Sequence, residues 1–413
     1  MNSAGPTKYC VAGDLLFAWS ASFGPFVWPG PKVIYHYHIW KLSLHSESDL
    51  DKSYLYTFLL EKTQEIKASG HGVSMIHMTK EAMEKIVVPV PPLAEQHRIA
   101  ARVEELIELC DALEQSGRLA DEQHARLTST LFDALAASES AQALAENWQR
   151  VAKHFDLLLD RPEAIDAVER TVLALSIQGR LVPQELTDLG AAPNSQQQVG
   201  AEAAPIDQSE IPFEIPTGWQ WIRLGWVAEL ISGDRGTNYP NRDEYVASGL
   251  PFINTGHIEP DGALSQESMN YLTRKKFDSL RSGKTRPGDL VYCLRGATLG
   301  KTAVVECAEG AIASSLVINR LNEAVDRKYA YYFLIGPLGR DLIKRFNNGS
   351  AQPNLAANSV KRYVMPLPLI AEQRRIVARV EELRSLCASL RQRLARSREA
   401  QSRLADALVA EVA

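Results

Sequence analysis

Three polar, glycine-rich stretches concentrate the side chains that could do chemistry. SGDRGTNYPNRDEY (Ser232–Tyr245) carries Arg235, Asn238, Tyr239, Asn241 and Arg242. CLRGATLGK (Cys293–Lys301) brings Arg295, Thr298 and Lys301 together, and NNGSAQPN (Asn347–Asn354) holds Asn347, Asn348, Ser350, Gln352 and Asn354. Arginine pairs bidentately with guanine, and Asn or Gln with adenine, while Lys and Ser mostly hold phosphates. Turn chemistry by itself also enriches loops in Gly, Asn and Ser. Any one of these residues therefore fits a turn; the set of Arg235, Asn238, Tyr239, Arg242, Arg295, Thr298, Lys301, Asn347, Asn348 and Gln352 points to DNA.

Catalytic chemistry is harder to find. Gly300-Lys301-Thr302 and Gly283-Lys284-Thr285 resemble the end of a phosphate loop, but the first glycine of that motif is replaced by Arg295 and Asp278. Without it the backbone nest for phosphates is undefined. No GxGxxG opens a helix after a strand, and HExxH, GxSxG and an Asn/Asp-Pro-Pro-aromatic tetrad are missing. His36 and His38 in VIYHYHIWKL would share one face of a strand, but a third metal ligand is not in view. We expect no catalytic residue, no metal and no cofactor.

The 413 residues suffice for two to three domains of ~100–200 residues each. A hydrophobic content of 45% with 23% charge is that of a globular chain. Five cysteines (Cys10, Cys110, Cys293, Cys307, Cys387) with no CxxC argue for reduced thiols in a cytoplasm. Neither a signal h-region nor an 18-residue apolar run occurs, so neither secretion nor a membrane partner is expected. The net charge of −5 divides unevenly: Ile211–Leu369 holds 19 Lys+Arg against 15 Asp+Glu, leaving −9 elsewhere. Local field rather than the total governs DNA binding.

A repeat organises the chain. AEQHRIAARVEELIELCDAL (Ala94–Leu113) matches AEQRRIVARVEELRSLCASL (Ala371–Leu390) at 14 of 20 positions, each after a Pro-rich lead, and Gly13-Asp14-Leu15 answers Gly288-Asp289-Leu290 upstream. Apolar residues step by 4 and 3 through Ile99, Val103, Leu106, Cys110 and Leu113, resuming at Leu127 and Leu131. The second copy runs Ile376, Val380, Leu383, Cys387, Leu390 and Leu394, continuing to Leu404 and Leu408. Such spacing reads as a coiled coil, with Ile99, Val103, Leu106 and Leu113 facing Ile376, Val380, Leu383 and Leu390. Pseudo-twofold duplication makes the expected pairing antiparallel.

Domain boundaries follow: a first globular unit at 1–93, a long helix at 94–137, a helical segment and flexible linker at 138–210, a second globular unit at 211–369 and a second long helix at 370–413. Arg161–Gln184 is helical by period up to a stop at Gly179, whereas Thr187–Glu210, rich in Ala, Gln, Pro and Ser, reads as linker. LPFINT, DLVYCL, TAVVE and SLVINRL read as strands, and Tyr329–Phe346 as helix interrupted at Gly336-Pro337. The expected fold class is mixed α/β.

PLPLIAEQRRIVARVEEL after a duplicated α/β unit resembles the specificity subunit of type I restriction–modification enzymes. IPTGWQWIRLG, GLPFINTGHI, GDLVYCLRGATLGK and NGSAQPNL stand in the order of that family's target recognition domains, and GDLLFAWSASFG and VIYHYHIWK are similar to it in the first unit. The resemblance implies two such domains joined by paired spacer helices, each reading one half-site of double-stranded DNA. It also implies a non-catalytic subunit that docks methyltransferase (modification) subunits and restriction subunits in a bacterial or archaeal cell. The alternative is a coiled-coil adaptor that no longer reads a full bipartite target. One asymmetry stands out. The second unit has 77 residues before its Gly-Asp-Leu and the first has 12, so ~65 residues of the first recognition domain are expected to be absent. A gene fragment, a mis-assigned start, or half of a split domain completed by another chain would each produce this asymmetry, and the unpaired edges expected of the incomplete unit favour self-association or capture of a separate first half.

Overall fold

Each copy of the repeat opens on a Gly-Asp turn that favours glycine. Gly13 has φ +86° and Gly288 φ +89°, and a Cβ on Gly288 would lie 2.2 Å from the Arg327 guanidinium. The carboxylate after it closes the turn: Val11 N–H donates to Asp14 (2.7 Å) and Arg286 N–H to Asp289 (2.9 Å). The computed structural model describes residues 9–20, 22–69, 79–138, 140–185, 205–347 and 354–412. They form two units, Met1–Glu122 and Gln123–Ala413.

The first unit contains β1 (Tyr9–Cys10), β2 (Leu15–Ala18), β3 (Gly24–Val27), β4 (Val33–Ile34) and β5 (Ile39–Leu42), then helices α1 (Lys52–Ser69) and α2 (Lys80–Glu84). Long helix α3 (Leu93–Ala136) leaves it and runs on into the second unit. The sheet order is β3-β2-β5, all antiparallel, with β1 and β4 as a separate pair. Leu15, Phe17, Phe23, Leu55 and Leu59 bury its core between sheet and α1. His36 and His38 lie outside the strands, in the turn that Ile39 N–H closes onto the His36 carbonyl (3.0 Å). Their rings are 4.8 Å apart. The expectation of a strand face fails there because the turn supplies the hydrogen bond that a ladder would.

The second unit begins with the end of α3 and helices α4 (Ala141–Lys153), α5 (Phe155–Leu158) and α6 (Pro162–Ile177). Proline opens α6 at its first turn and Gly179, φ +70°, follows its end. Phe132, Leu135, Val151, Leu158, Ala164 and Ala167 cluster among these helices. The globular part contains β6 (Gln220–Arg223), α7 (Leu224–Val227), β7 (Ala228–Ser232), β8 (Leu250–Ile253), β9 (Asn270–Leu272), α8 (Arg274–Ser279) and β10 (Lys284–Thr285). After these come β11 (Leu290–Cys293), β12 (Thr302–Val304), β13 (Gly310–Ile312) and β14 (Leu316–Leu321). It closes with α9 (Arg327–Ile335), α10 (Pro337–Phe346), α11 (Ala357–Lys361), β15 (Val364–Leu367) and long helix α12 (Ile370–Val412). Two four-stranded sheets, β10-β13-β8-β9 and β12-β11-β14-β7, and the pair β15-β6 make its scaffold. Most residues of these strands are buried.

Part of the expected linker is held in place. Glu210 and the Pro205 carbonyl accept from Arg223 (2.6 and 3.0 Å), which is buried, so the second unit reaches back to 205. Residues 186–204 lie outside the described residues.

A joint is repeated at the base of both long helices. In the first unit Gln96 accepts from Asp51 N–H (2.8 Å) and donates to the carbonyls of Asp49 and Pro91 (both 2.8 Å). In the second, Gln373 accepts from Asp326 N–H (2.7 Å) and donates to Ala324 and Pro368 (both 2.9 Å). Tyr54 donates to the Pro89 carbonyl (2.7 Å) as Tyr329 does to Pro366 (2.8 Å). Each buried amide thus ties the start of one helix, the strand-like lead and the long helix together, with all its hydrogen-bonding groups engaged.

Candidate nucleic-acid interface

Loop 233–242 leaves β7 and is anchored by Asp234, a buried carboxylate that accepts from Arg281 N–H (2.8 Å) and Gly236 N–H (2.7 Å). Those backbone donors hold its carboxyl below the usual range. The anchor leaves Arg235 exposed, its guanidinium 3.5 Å from the Ser314 carbonyl. Ser314 sits in the corner between β13 and β14. The same corner reaches the loop after β11, because Leu294 N–H donates to the Ser315 carbonyl (2.9 Å). From there the strip continues: Leu355 N–H donates to the Leu294 carbonyl (2.9 Å), and Arg295 bridges to Asn354. Asn347 accepts from Asn354 N–H (3.0 Å). Three loops far apart in sequence therefore adjoin over one corner of the second unit.

The expected site residues divide within that strip. Arg235, Arg242 and Arg295 are exposed. Asn238 donates inward to the Ser279 carbonyl (2.8 Å), and the Tyr239 ring packs edge-on against Phe252 with centroids 5.8 Å apart. Thr298 Oγ1 lies 3.3 Å from Cys293 Sγ, and Lys301 Nζ donates to the Ile258 carbonyl (3.1 Å). Asn348 and Gln352 lie outside the described residues.

Sequence reading missed the cations beside the third loop. Phe346 carries Arg345 at 5.9 Å and Arg362 at 5.1 Å from its ring centroid. Exposed Lys344 and Lys361 extend this basic group. Its signal was present as Lys344-Arg345-Phe346 and Lys361-Arg362, two short basic pairs flanking the Asn-rich loop. Such aromatic-backed guanidiniums suit phosphate contact. Among the described residues no cluster of His, Cys, Asp and Glu has metal-ligand spacing, and no helix is long and apolar enough to cross a membrane.

The expected coiled-coil positions are placed unequally. On α12, Ile376 and Val380 are in the core of the second unit, Leu383 packs against that core and Leu390 against the helical cluster. Helix α6 lies along this face, with Arg391 bonded to Glu169 (2.7 Å) and Asp166 (2.5 Å). On α3, Ile99 and Val103 are half-buried, and Leu106 and Leu113 are exposed.

Comparison with known proteins bears on this arrangement. Residues 6–121 and 216–396 match the family model of the type I restriction modification DNA specificity domain. The specificity subunit of the type I restriction enzyme EcoAI of Escherichia coli is 28% identical over 78% of this chain and 57% of its own length. That of EcoEI, also from Escherichia coli, is 28% identical over 79% of this chain and 58% of its own length. The chain thus spans somewhat over half the length of these relatives. A chain from a solved type I restriction–modification assembly shares the fold, with a TM-score of 0.55 at 20% identity over 97% of this chain and 82% of that one. With two matched regions of α/β structure joined through a long helix, the chain belongs to the type I restriction modification DNA specificity domain family.

Proposed function

We propose that this chain is the sequence-specific DNA-binding subunit of a type I restriction–modification complex. It is non-catalytic, works in the cytoplasm, reads a half-site through the second unit, and docks methyltransferase and restriction subunits. The observation that carries this reading is the exposure of Arg235 and Arg295 on loops tied to one corner, with a basic group beside the third loop. Guanidiniums on rigidly anchored loops suit base edges, and the cations around Phe346 suit the phosphate backbone. Selection from random-sequence duplex DNA, with the modification partners present, tests it. Arg295→Ala should cost ~1–3 kcal/mol and relax preference at one position, while Lys361→Ala should weaken all sequences alike and lower the salt slope by about one. Parent-like binding and discrimination in both variants would remove the proposal.

The helix segments 99–131 and 376–408 are proposed to pair antiparallel as the spacer. The motivation is the equivalent heptad rows, whose outer members Leu106, Leu113, Leu404 and Leu408 are exposed apolar side chains. Leu404→Asp with Leu408→Asp should speed amide exchange along 99–131 without touching the second unit's core; unchanged exchange there counts against the pairing.

A further inference from the structure

A cavity of about 540 Å³ opens in the second unit between the 261–271 segment, the end of β12 and helices α9 and α12. None of the residues argued to face DNA lines it. Its walls are fixed before anything enters. The Tyr331 hydroxyl donates to the Asp261 carbonyl (2.9 Å), and Val304 N–H donates to the Gly262 carbonyl (3.2 Å). A Cβ on Gly262, φ +88°, would lie 2.2 Å from Tyr331 Oη, an approach that requires glycine. A preformed space of this size falls in the range that small ligands occupy.

Its charges are unevenly balanced. Lys328 is paired with Glu381. Arg384, half-buried in the lining, has no carboxylate within ion-pair distance among the described residues. Glu169, whose charge reaches it, is bonded to Arg391 instead (2.7 Å). The neighbours of Arg384 are neutral. Its guanidinium lies 5.6 Å from the centroid of the buried Tyr332 ring and faces the phenol oxygens of Tyr331 and Tyr332. A guanidinium has five N–H donors, so two phenol oxygens leave donors over. A cation partly withdrawn from water without a counter-charge is costly, and an anion in the cavity would remove that cost.

The rest of the lining narrows the choice of anion. Leu264, Met269, Tyr271 and Val304 supply an apolar wall, whereas exposed Asp261 and Glu306 add two negative charges. We propose that this cavity binds a small monocarboxylate with an aromatic or aliphatic body. The carboxylate would take paired N–H bonds from the planar fork of Arg384, and the body would lie on the apolar wall. Asp261 and Glu306 would accept a neutral or donor-bearing far end and repel a second negative charge there. A phosphate head, nearer to two charges at neutral pH, is opposed for the same reason.

The test is a ligand-observed NMR titration of the full chain, without DNA, using benzoate, 4-aminobenzoate, terephthalate and benzamide as probes. Both benzoates should bind, terephthalate should be weaker than benzoate by about threefold or more, and benzamide should not bind. Arg384→Gln should weaken benzoate by about tenfold or more. Because Arg384 also packs on Tyr332, a second variant keeps the guanidinium in place: Ala263→Trp, at an exposed lining position, should fill the cavity and block benzoate while melting like the parent. Three outcomes overturn the proposal: no saturation by either benzoate at millimolar concentration, benzoate binding that survives in either variant, or benzamide or terephthalate binding as well as benzoate.

Discussion

Gln96 and Gln373 make the same three hydrogen bonds, but the helices they anchor are clothed differently. Ile376, Val380 and Cys387 are buried on α12, whereas at the same repeat positions on α3 Ile99 and Val103 are half-buried and Cys110 is exposed. The joint is local: its partners lie within 50 residues of the glutamine and were duplicated with it. Cover is not local. Helix α6, which packs along α12, stands outside the repeated segment. Duplicated sequence therefore reproduces a joint faithfully and a buried face only where non-repeated chain arrives to complete it.

The largest effect should come from placing a charge at one seam position in each copy. Val380→Asp puts an unpaired carboxylate into a fully buried site and should cost above ~4 kcal/mol, unfolding the second unit in denaturant titration. Val103→Asp, half-buried, should cost about 1 kcal/mol. Equal losses would erase the difference in cover.

Next is the joint. Gln373→Leu and Gln96→Leu each strand a backbone N–H and two carbonyls, at about 1–3 kcal/mol per buried group left unsatisfied. Similar losses in the two variants, read by exchange in each unit, are expected. A much smaller loss in the first unit would show that the repeated bonds are not equally buried in energy.

A smaller effect separates the units by pH. Arg223, bonded to Glu210, holds that carboxyl at about 2, below its ordinary 4.5. A depressed acid stabilises above its unfolded value, and that contribution is lost as pH falls from about 4.5 through about 2. Acid titration should loosen 205–223 in this window, and Glu210→Gln should remove the pH dependence there.

The smallest test leaves stability untouched. Burial pushes the Cys387 thiol up to about 11, so little thiolate exists at pH 8. Maleimide should label exposed Cys110 first and Cys387 only on unfolding. Comparable rates would mean that the α12 face opens readily.

Much of the scaffold was legible because periodicity and glycine act locally. Both long helices, the break at Gly336-Pro337, the stop at Gly179 and the strands around the Gly-Asp turns follow from spacing and turn chemistry. The candidate interface was legible as loops but not as directions. Asn238, Thr298 and Lys301 look like ligand-facing polar residues in sequence, yet their polar atoms meet Ser279, Cys293 and Ile258. Those partners lie 41, 5 and 43 residues away, so for Asn238 and Lys301 no local pattern announces them. The glutamine joint was hidden for a related reason, since Ala-Glu-Gln at a helix start reads as ordinary solvated helix. The basic group around Phe346 is made by the last turn of α10 (Lys344, Arg345) converging with the last residue of α11 and the one after it (Lys361, Arg362), and each contributes only two charges.

The joint at Gln373 also has a mechanical meaning. Helix α12 has 43 residues, a rod about 65 Å long at 1.5 Å per residue. A tilt of about 5° at its base would move the far end by nearly 6 Å, against a rise of about 3.4 Å per base pair along DNA. In the proposed DNA-reading role, a change of a few degrees at the buried carboxamide of Gln373 would be magnified into more than one base-pair step at the far end of the helix.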